Sequence, residues 1–224
     1  MIPPLIVERA LEAGLDLIAI TDHNASYNAG AVIEAARGTS LKVLPGMELQ
    51  TREEVHLVCL FDALEPLNTW QTEVNCALPN LPNRPETLGE QFVVDAAGDF
   101  MRREERLLLV SANLSLEDAV ARVNALGGMA IPAHIDRPAN GLIALLGFVP
   151  PGLDVSALEI SPRMSAPMAR EKFRLPNDLA LIQSSDAHWL DMLGSAPTEF
   201  EVETRNVACL RRALIERRYA IQNK

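Results

Sequence analysis

The chain has 224 residues and only four histidines, each set at an apolar, strand-like run with an acid nearby. They are His23 (LIAITDH), His56 (EEVHLVCLF), His134 (GMAIPAH) and His188 (LIQSSDAH), and Glu48 closes another such run, VLPGME. Neutral imidazole with carboxylate is the ligand set of a hard-to-borderline divalent metal ion. Asp186 and His188 stand two apart in SSDAH. An extended backbone points such a pair to one face, where one ion can take both or two neighbouring ions can take one each. Taken alone, each histidine reads more often as a hydrogen-bonded structural side chain than as a ligand, and the Glu48 carboxylate, shortly after Gly46, reads also as a turn cap. Taken together, their common place at the ends of strand-like runs favours ligands, because in a barrel of βα units such ends converge at one mouth.

The elements that would position them follow from the hydrophobic pattern. Pro3 and Pro4 suit the first turn of a helix over LIVERALEAG, which Gly14 stops. Residues 15–23 form a continuous apolar run, as expected of a strand buried on both faces. A helix near 28–37 leads to a second run, 41–49, and a third, 53–61, follows at once. That gap is too short for a helical crossover, so these two runs are expected to pair as a hairpin, which brings Glu48 towards His56 in a suitable register. Residues 62–110 break the rhythm with a helix-like LEPLNTWQTEVNCAL, a proline-rich loop and a hairpin around Ala97 and Gly98. They read as an insertion of helix plus hairpin. Regular alternation resumes with a helix over 115–126, started by Ser115 and Asp118, and the run MAIPAH. Further strands are expected over 156–161, 179–185 and 198–202, and a final helix over 205–218. Alternating β and α elements without a linker make a single α/β domain over 1–224, and the number of strands favours a barrel over a small open sheet.

Bulk properties narrow the function classes. The net charge of −10, with lysine only at Lys42, Lys172 and Lys224, disfavours a nucleic-acid grip. An anionic substrate would depend on local charge, which bound metal ions can supply. Cys59, Cys76 and Cys209 have no paired spacing, which fits a reduced, cytoplasmic setting. No apolar stretch approaches the roughly 18 residues of a membrane span, and MIPPLIVERALEAG does not read as a signal peptide. Oligomeric state is not legible.

The motifs TDH (21–23), GME (46–48), VH (55–56), PAH (132–134) and SDAH (185–188), in that order, resemble those of the PHP family, named for polymerase and histidinol phosphatase. The resemblance spans nearly the whole chain, including the VVDAAGDF hairpin. It implies a distorted (βα)7 TIM-like barrel, two or three divalent ions of zinc, manganese or iron, and hydrolysis of phosphoesters. It further implies that Glu48 bridges two metals and that His56 and His134 complete one site with it. Asp186 would serve another site beside Glu48, His23 and His188 would share a third, and Asp22 would orient a neighbour.

The resemblance also exposes a departure. PHP proteins begin with a strand ending in His-x-His, whereas Met1 opens on what aligns with the following helix. The expected barrel therefore lacks its first strand, through either an internal start in a longer product or a natural truncation. Persistence of six other ligands favours the longer product. Arg137 and Arg163 are candidates to hold a phosphate oxygen, with a surface ion pair as the competing reading. Arg102, Arg103 and Arg106, beside Glu104 and Glu105, read as a mixed solvated face. The leading function is metal-dependent hydrolysis of a small phosphorylated metabolite or nucleotide. The alternative is a degenerate, inactive module with a binding or scaffold role. An amidohydrolase-type barrel ranks low because no lysine ends a strand, and a nuclease role is disfavoured by charge.

Overall fold

The computed structural model describes residues 1–221. Its elements run α1 (Pro3–Glu12), β1 (Leu17–Ile20), α2 (Ala29–Ala35), β2 (Lys42–Gln50), β3 (His56–Leu60) and α3 (Leu64–Ala77). Next come a short α4 (Pro85–Leu88), the hairpin strands β4 (Phe92–Val94) and β5 (Phe100–Arg103), α5 (Leu116–Ala125), β6 (Met129–Pro132) and α6 (Leu142–Leu146). The last part holds β7 (Ala157–Glu159), α7 (Ala166–Phe173), β8 (Ala180–Ile182), β9 (Thr198–Phe200), α8 (Val207–Ile215) and β10 (Tyr219–Ile221).

Local chemistry accounts for several boundaries. Pro3 and Pro4 occupy the first turn of α1, where their missing N–H groups cost nothing, and Gly14 leaves the helix at φ +70°. The Ser115 side chain accepts a hydrogen bond from the Asp118 backbone N–H at 3.1 Å and starts α5.

One sheet has the order β1-β2-β3-β6. β1 and β2 are parallel, and β3 runs antiparallel to both β2 and β6. The expected hairpin thus forms, in the register Glu48 opposite Val58 and Gln50 opposite His56. A Cβ on Gly46 would meet the Cys59 carbonyl oxygen at 2.8 Å, so glycine permits the close approach of β2 and β3 just before Glu48.

Both faces of this sheet are covered, which explains the unbroken apolar runs. Met47, Leu49, Leu57, Cys59 and Ala130 face a core shared with Leu67, Trp70 and Val74 of α3 and with Leu116, Val120 and Val123 of α5. Leu44, Leu60, Met129 and Ile131 face the opposite way, against Val207, Leu210 and Leu214 of α8. A third cluster packs α1 and α2 on Ile18, Leu41 and Val43.

Barrel closure is not what the hydrogen bonding gives. β7 and β8 form a separate parallel pair, β9 and β10 a separate antiparallel one, and β4 and β5 the insertion hairpin. β7 meets the end of β6 through a single backbone bond, from Ile135 N–H to the Glu159 carbonyl at 2.9 Å. Strands of three residues are too short to carry a continuous ladder around a barrel, so the result among the described residues is a mixed α/β arrangement of small sheets. No described helix is long and apolar enough to cross a membrane.

Candidate metal centre

The sheet explains why distant residues meet. β1, β2 and β6 are mutually parallel in direction, so their carboxyl ends share one edge. His23 lies just past β1, in a parallel bridge to Glu48, and His134 lies two residues past β6. His56 is different from the expectation of a ligand at the end of a run: it opens β3. Because β3 is antiparallel, its beginning lies at the edge where the other strands end. The register puts His56 and Glu48 diagonally on one face of the β2–β3 ladder.

The Glu48 carboxylate is the hub. Its Oε1 takes His56 Nδ1 at 2.8 Å and His134 Nε2 at 3.3 Å, and its Oε2 lies 3.4 Å from His23 Nδ1. His23 Nε2 in turn faces His188 Nε2 at 3.4 Å. The ring centroids of His23 and His56 are 5.1 Å apart, those of His56 and His134 5.3 Å, and those of His23 and His188 5.7 Å. Asp186 joins from beyond β8, with Oδ1 3.7 Å from His188 Nδ1. Glu48 and His134 are buried, while the His188 side chain is 53% exposed and marks the open side.

Left-handed backbone occurs here at three residues. His134 has φ +30° and Asp186 φ +45°, left-handed values that side chains with a Cβ rarely adopt. Asn24, next to His23, has φ +50° and is fully buried. Its amide donates to the carbonyls of Leu108 and Val110 at 2.7 and 2.8 Å, and its Oδ1 accepts from Gln50 N–H at 2.9 Å. Asn24 N–H also donates to the Glu48 carbonyl at 2.9 Å. One side chain thus ties the His23 turn to β2 and to the end of the insertion.

Electrostatics follow from this packing. Burial opposes ionisation of Glu48, yet hydrogen bonds from His134 and His56 and the nearby imidazole charge win, holding its carboxyl well below the usual range. Burial lowers His23, and the neighbouring His56 and His188 add to that against the pull of Glu48. Burial would also lower His134, but its hydrogen bond to Glu48 outweighs that and raises it. Burial pushes the carboxyl of Glu159 up to about 7, despite the hydrogen bond from Ser184 and the charge of His134, and the negative Glu48 and Asp186 add to the rise.

These residues fit a divalent ion. Ligand atoms of His23, Glu48 and His56 all lie within 4.8 Å of one another. Among the described residues the buried His134 Nδ1 has no hydrogen-bond partner, and two imidazole nitrogens face each other across His23 and His188. Several nitrogen donors turned on one carboxylate suit a cation better than they suit one another. His23, Glu48 and His56 are the three that converge so closely, and His134, His188 and Asp186 lie around them.

The other candidates are placed less uniformly. Arg137 reaches the cluster, with NH1 2.6 Å from Asp186 Oδ2. Asp22 is exposed and its carboxylate accepts from the Asn28 amide at 3.3 Å, with no hydrogen bond to an imidazole. Arg163 is exposed and has no ion pair or side-chain hydrogen bond among the described contacts. Sequence reasoning missed Asn24 and Glu159. The signals present were an asparagine directly after TDH and a charged residue inside the apolar strand SALEIS.

The PHP domain model matches residues 3–111 and the PHP-associated model matches residues 171–219. No curated protein matches the chain. Among solved structures, the lesion-specific endonuclease Q of Pyrococcus furiosus superposes with a TM-score of 0.70 at 19% identity, over 99% of this chain and 53% of that one. An endonuclease Q in complex with a 27-mer duplex bearing an abasic lesion gives 0.70 at 18% identity, over 94% and 51%. A protein of Bifidobacterium adolescentis described as a metal-dependent phosphoesterase gives 0.57 at 17% identity, over 95% and 90%. The chain spans about half the length of the endonuclease chains it matches. At such identities the likeness carries the fold, and the two family models, in sequence order and containing His23, Glu48, His56, Asp186 and His188, carry the assignment: this chain belongs to the PHP family.

Proposed function

We propose that this chain is a metal-dependent phosphoesterase, hydrolysing a phosphoester in a small phosphorylated metabolite or nucleotide with activated water. The observation that carries the reading is the Glu48 carboxylate surrounded by ring nitrogens of His56, His134 and His23 at 2.8, 3.3 and 3.4 Å. Two or three ions of zinc, manganese or iron would acidify water near neutral pH and neutralise phosphate charge. Glu48 would be the shared carboxylate of that cluster, with His56 and His134 as ligands on its buried side and His23, Asp186 and His188 as ligands on its open side. Arg137 would hold a non-bridging phosphate oxygen through its planar guanidinium, a role supported by its ion pair with Asp186 at the cluster. Arg163 and Asp22 have weaker claims, as a second phosphate contact and an orienting carboxylate. We take the chain as one domain in which residues 62–110 are an insertion beside the site. Cys59, Cys76 and Cys209 are free, which fits a reducing, cytoplasmic setting.

A nucleic-acid phosphodiester is the second reading, favoured by the likeness to endonuclease Q and opposed by the net charge of −10. The test is turnover of p-nitrophenyl phosphate and of bis-p-nitrophenyl phosphate by protein loaded with manganese or zinc, with chelated protein as control. Metal-dependent turnover of the monoester supports the first reading, and turnover of the diester alone supports the second. A protein that binds metal stoichiometrically but turns over neither ester would be the inactive binding module instead.

A further inference from the structure

Glu159 is a buried carboxylate that no ligand role requires. It ends β7, and among the described residues its carboxylate makes no hydrogen bond to an imidazole ring. Its Oε1 accepts from the backbone N–H of His134 at 3.3 Å, and its Oε2 accepts from the Ser184 hydroxyl at 2.8 Å. Its own carbonyl accepts from Ile135 N–H at 2.9 Å. These partners belong to two different turns. One carries His134 at φ +30°, and the other, two residues after Ser184, carries Asp186 at φ +45°. Such values strain any side chain with a Cβ, so both turns draw on outside contacts: Arg137 reaches Asp186 at 2.6 Å, and Glu159 reaches both turns. β6 and β7 share no ladder, so the carboxylate supplies a tie that the sheets lack.

We infer that Glu159 is a positioning residue for the metal centre: its two carboxylate oxygens set the distance between the His134 turn and the Asp186 turn. The inference rests on the metal reading of the site. Hydrogen-bonding partners that fix the ligands of a metal typically contribute roughly 10–100-fold in affinity. Geometry, rather than negative charge, is what the two contacts supply. A glutamine can reproduce them, with its carbonyl accepting from His134 N–H and its amide donating to the Ser184 hydroxyl.

The experiment is calorimetric titration of the metal-free protein with manganese and with zinc, for the natural chain, Glu159→Gln, Glu159→Ala and Ser184→Ala, each checked for folding by circular dichroism. The expected result is near-natural affinity for Glu159→Gln and a loss of roughly 10–100-fold for Glu159→Ala. Ser184→Ala, the variant to rely on if Glu159→Ala does not fold, should lose part of that. Unchanged affinity in folded Glu159→Ala, or in Ser184→Ala where the alanine variant fails to fold, would overturn the inference. Equal losses in the glutamine and alanine variants would also overturn it, since charge would then be the cause. If the natural chain itself binds neither ion, it is the metal reading that fails, a separate and distinguishable outcome.

Discussion

Glu159→Gln should change how the stability of the metal-free protein depends on pH. The carboxyl is fully buried among other acids and is pushed from an ordinary 4.5 up to about 7. Between those values the folded chain keeps a proton that the unfolded chain has already released. Stability therefore falls as pH rises through that window, is unaffected below it, and levels off above it. A shift of this size at 1.36 kcal/mol per pH unit amounts to about 3 kcal/mol at the alkaline end. Glutamine has no proton to lose, so the variant escapes this cost. Urea unfolding in the presence of a chelator, in steps from about pH 4 to about pH 8, reads the difference in stability between the two proteins. That difference should grow by about 3 kcal/mol in favour of the variant, on top of any constant offset. Two curves that stay parallel within about 1 kcal/mol would refute the reasoning, because the carboxyl would then titrate alike in both states.

Other perturbations test other parts of the site. Acidification should destabilise the metal-free protein through Glu48, whose folded carboxyl is held low: its contribution is present above its ordinary range and is lost as pH falls below about 4.5. Glu48→Gln should flatten that acid limb, as followed by fluorescence of Trp70 and Trp189. Asn24→Ala removes acceptors and donors for Leu108, Val110 and Gln50 at a fully buried position with φ +50°, and should cost about 3 kcal/mol in urea unfolding. Arg137→Ala should raise KM for a phosphoester about tenfold, the worth of one charge-assisted hydrogen bond, while an unchanged KM would remove Arg137 from substrate contact.

Much of this molecule was legible in the sequence because burial on two faces writes a plain signal. The unbroken runs before His23, Glu48 and His134 became strands covered by helices on both sides, and the short gap after Glu48 became the β2–β3 hairpin. His56 shows the limit of that reading. Its run is real, but the histidine begins the strand, and only the antiparallel direction of β3 returns it to the ligand edge. Barrel closure was not legible, because it depends on ladder continuity between β6 and β7, where a single backbone bond replaces paired strands. The short helix α6 hides in the apolar stretch LIALL, too brief for a helical period, and among the described residues β10 pairs only with β9. Asn24 and Glu159 went unseen because their worth lies in reaching backbone groups remote in sequence, which no local pattern records.

The most direct measurement is X-ray diffraction from crystals grown with zinc or manganese, recorded at the absorption edge of the metal. Anomalous density should lie within bonding distance of Glu48, shared with His56 and His134, and extend towards His23, Asp186 and His188. Metal located only elsewhere on the protein, with those six side chains left in contact solely with one another, would contradict the account.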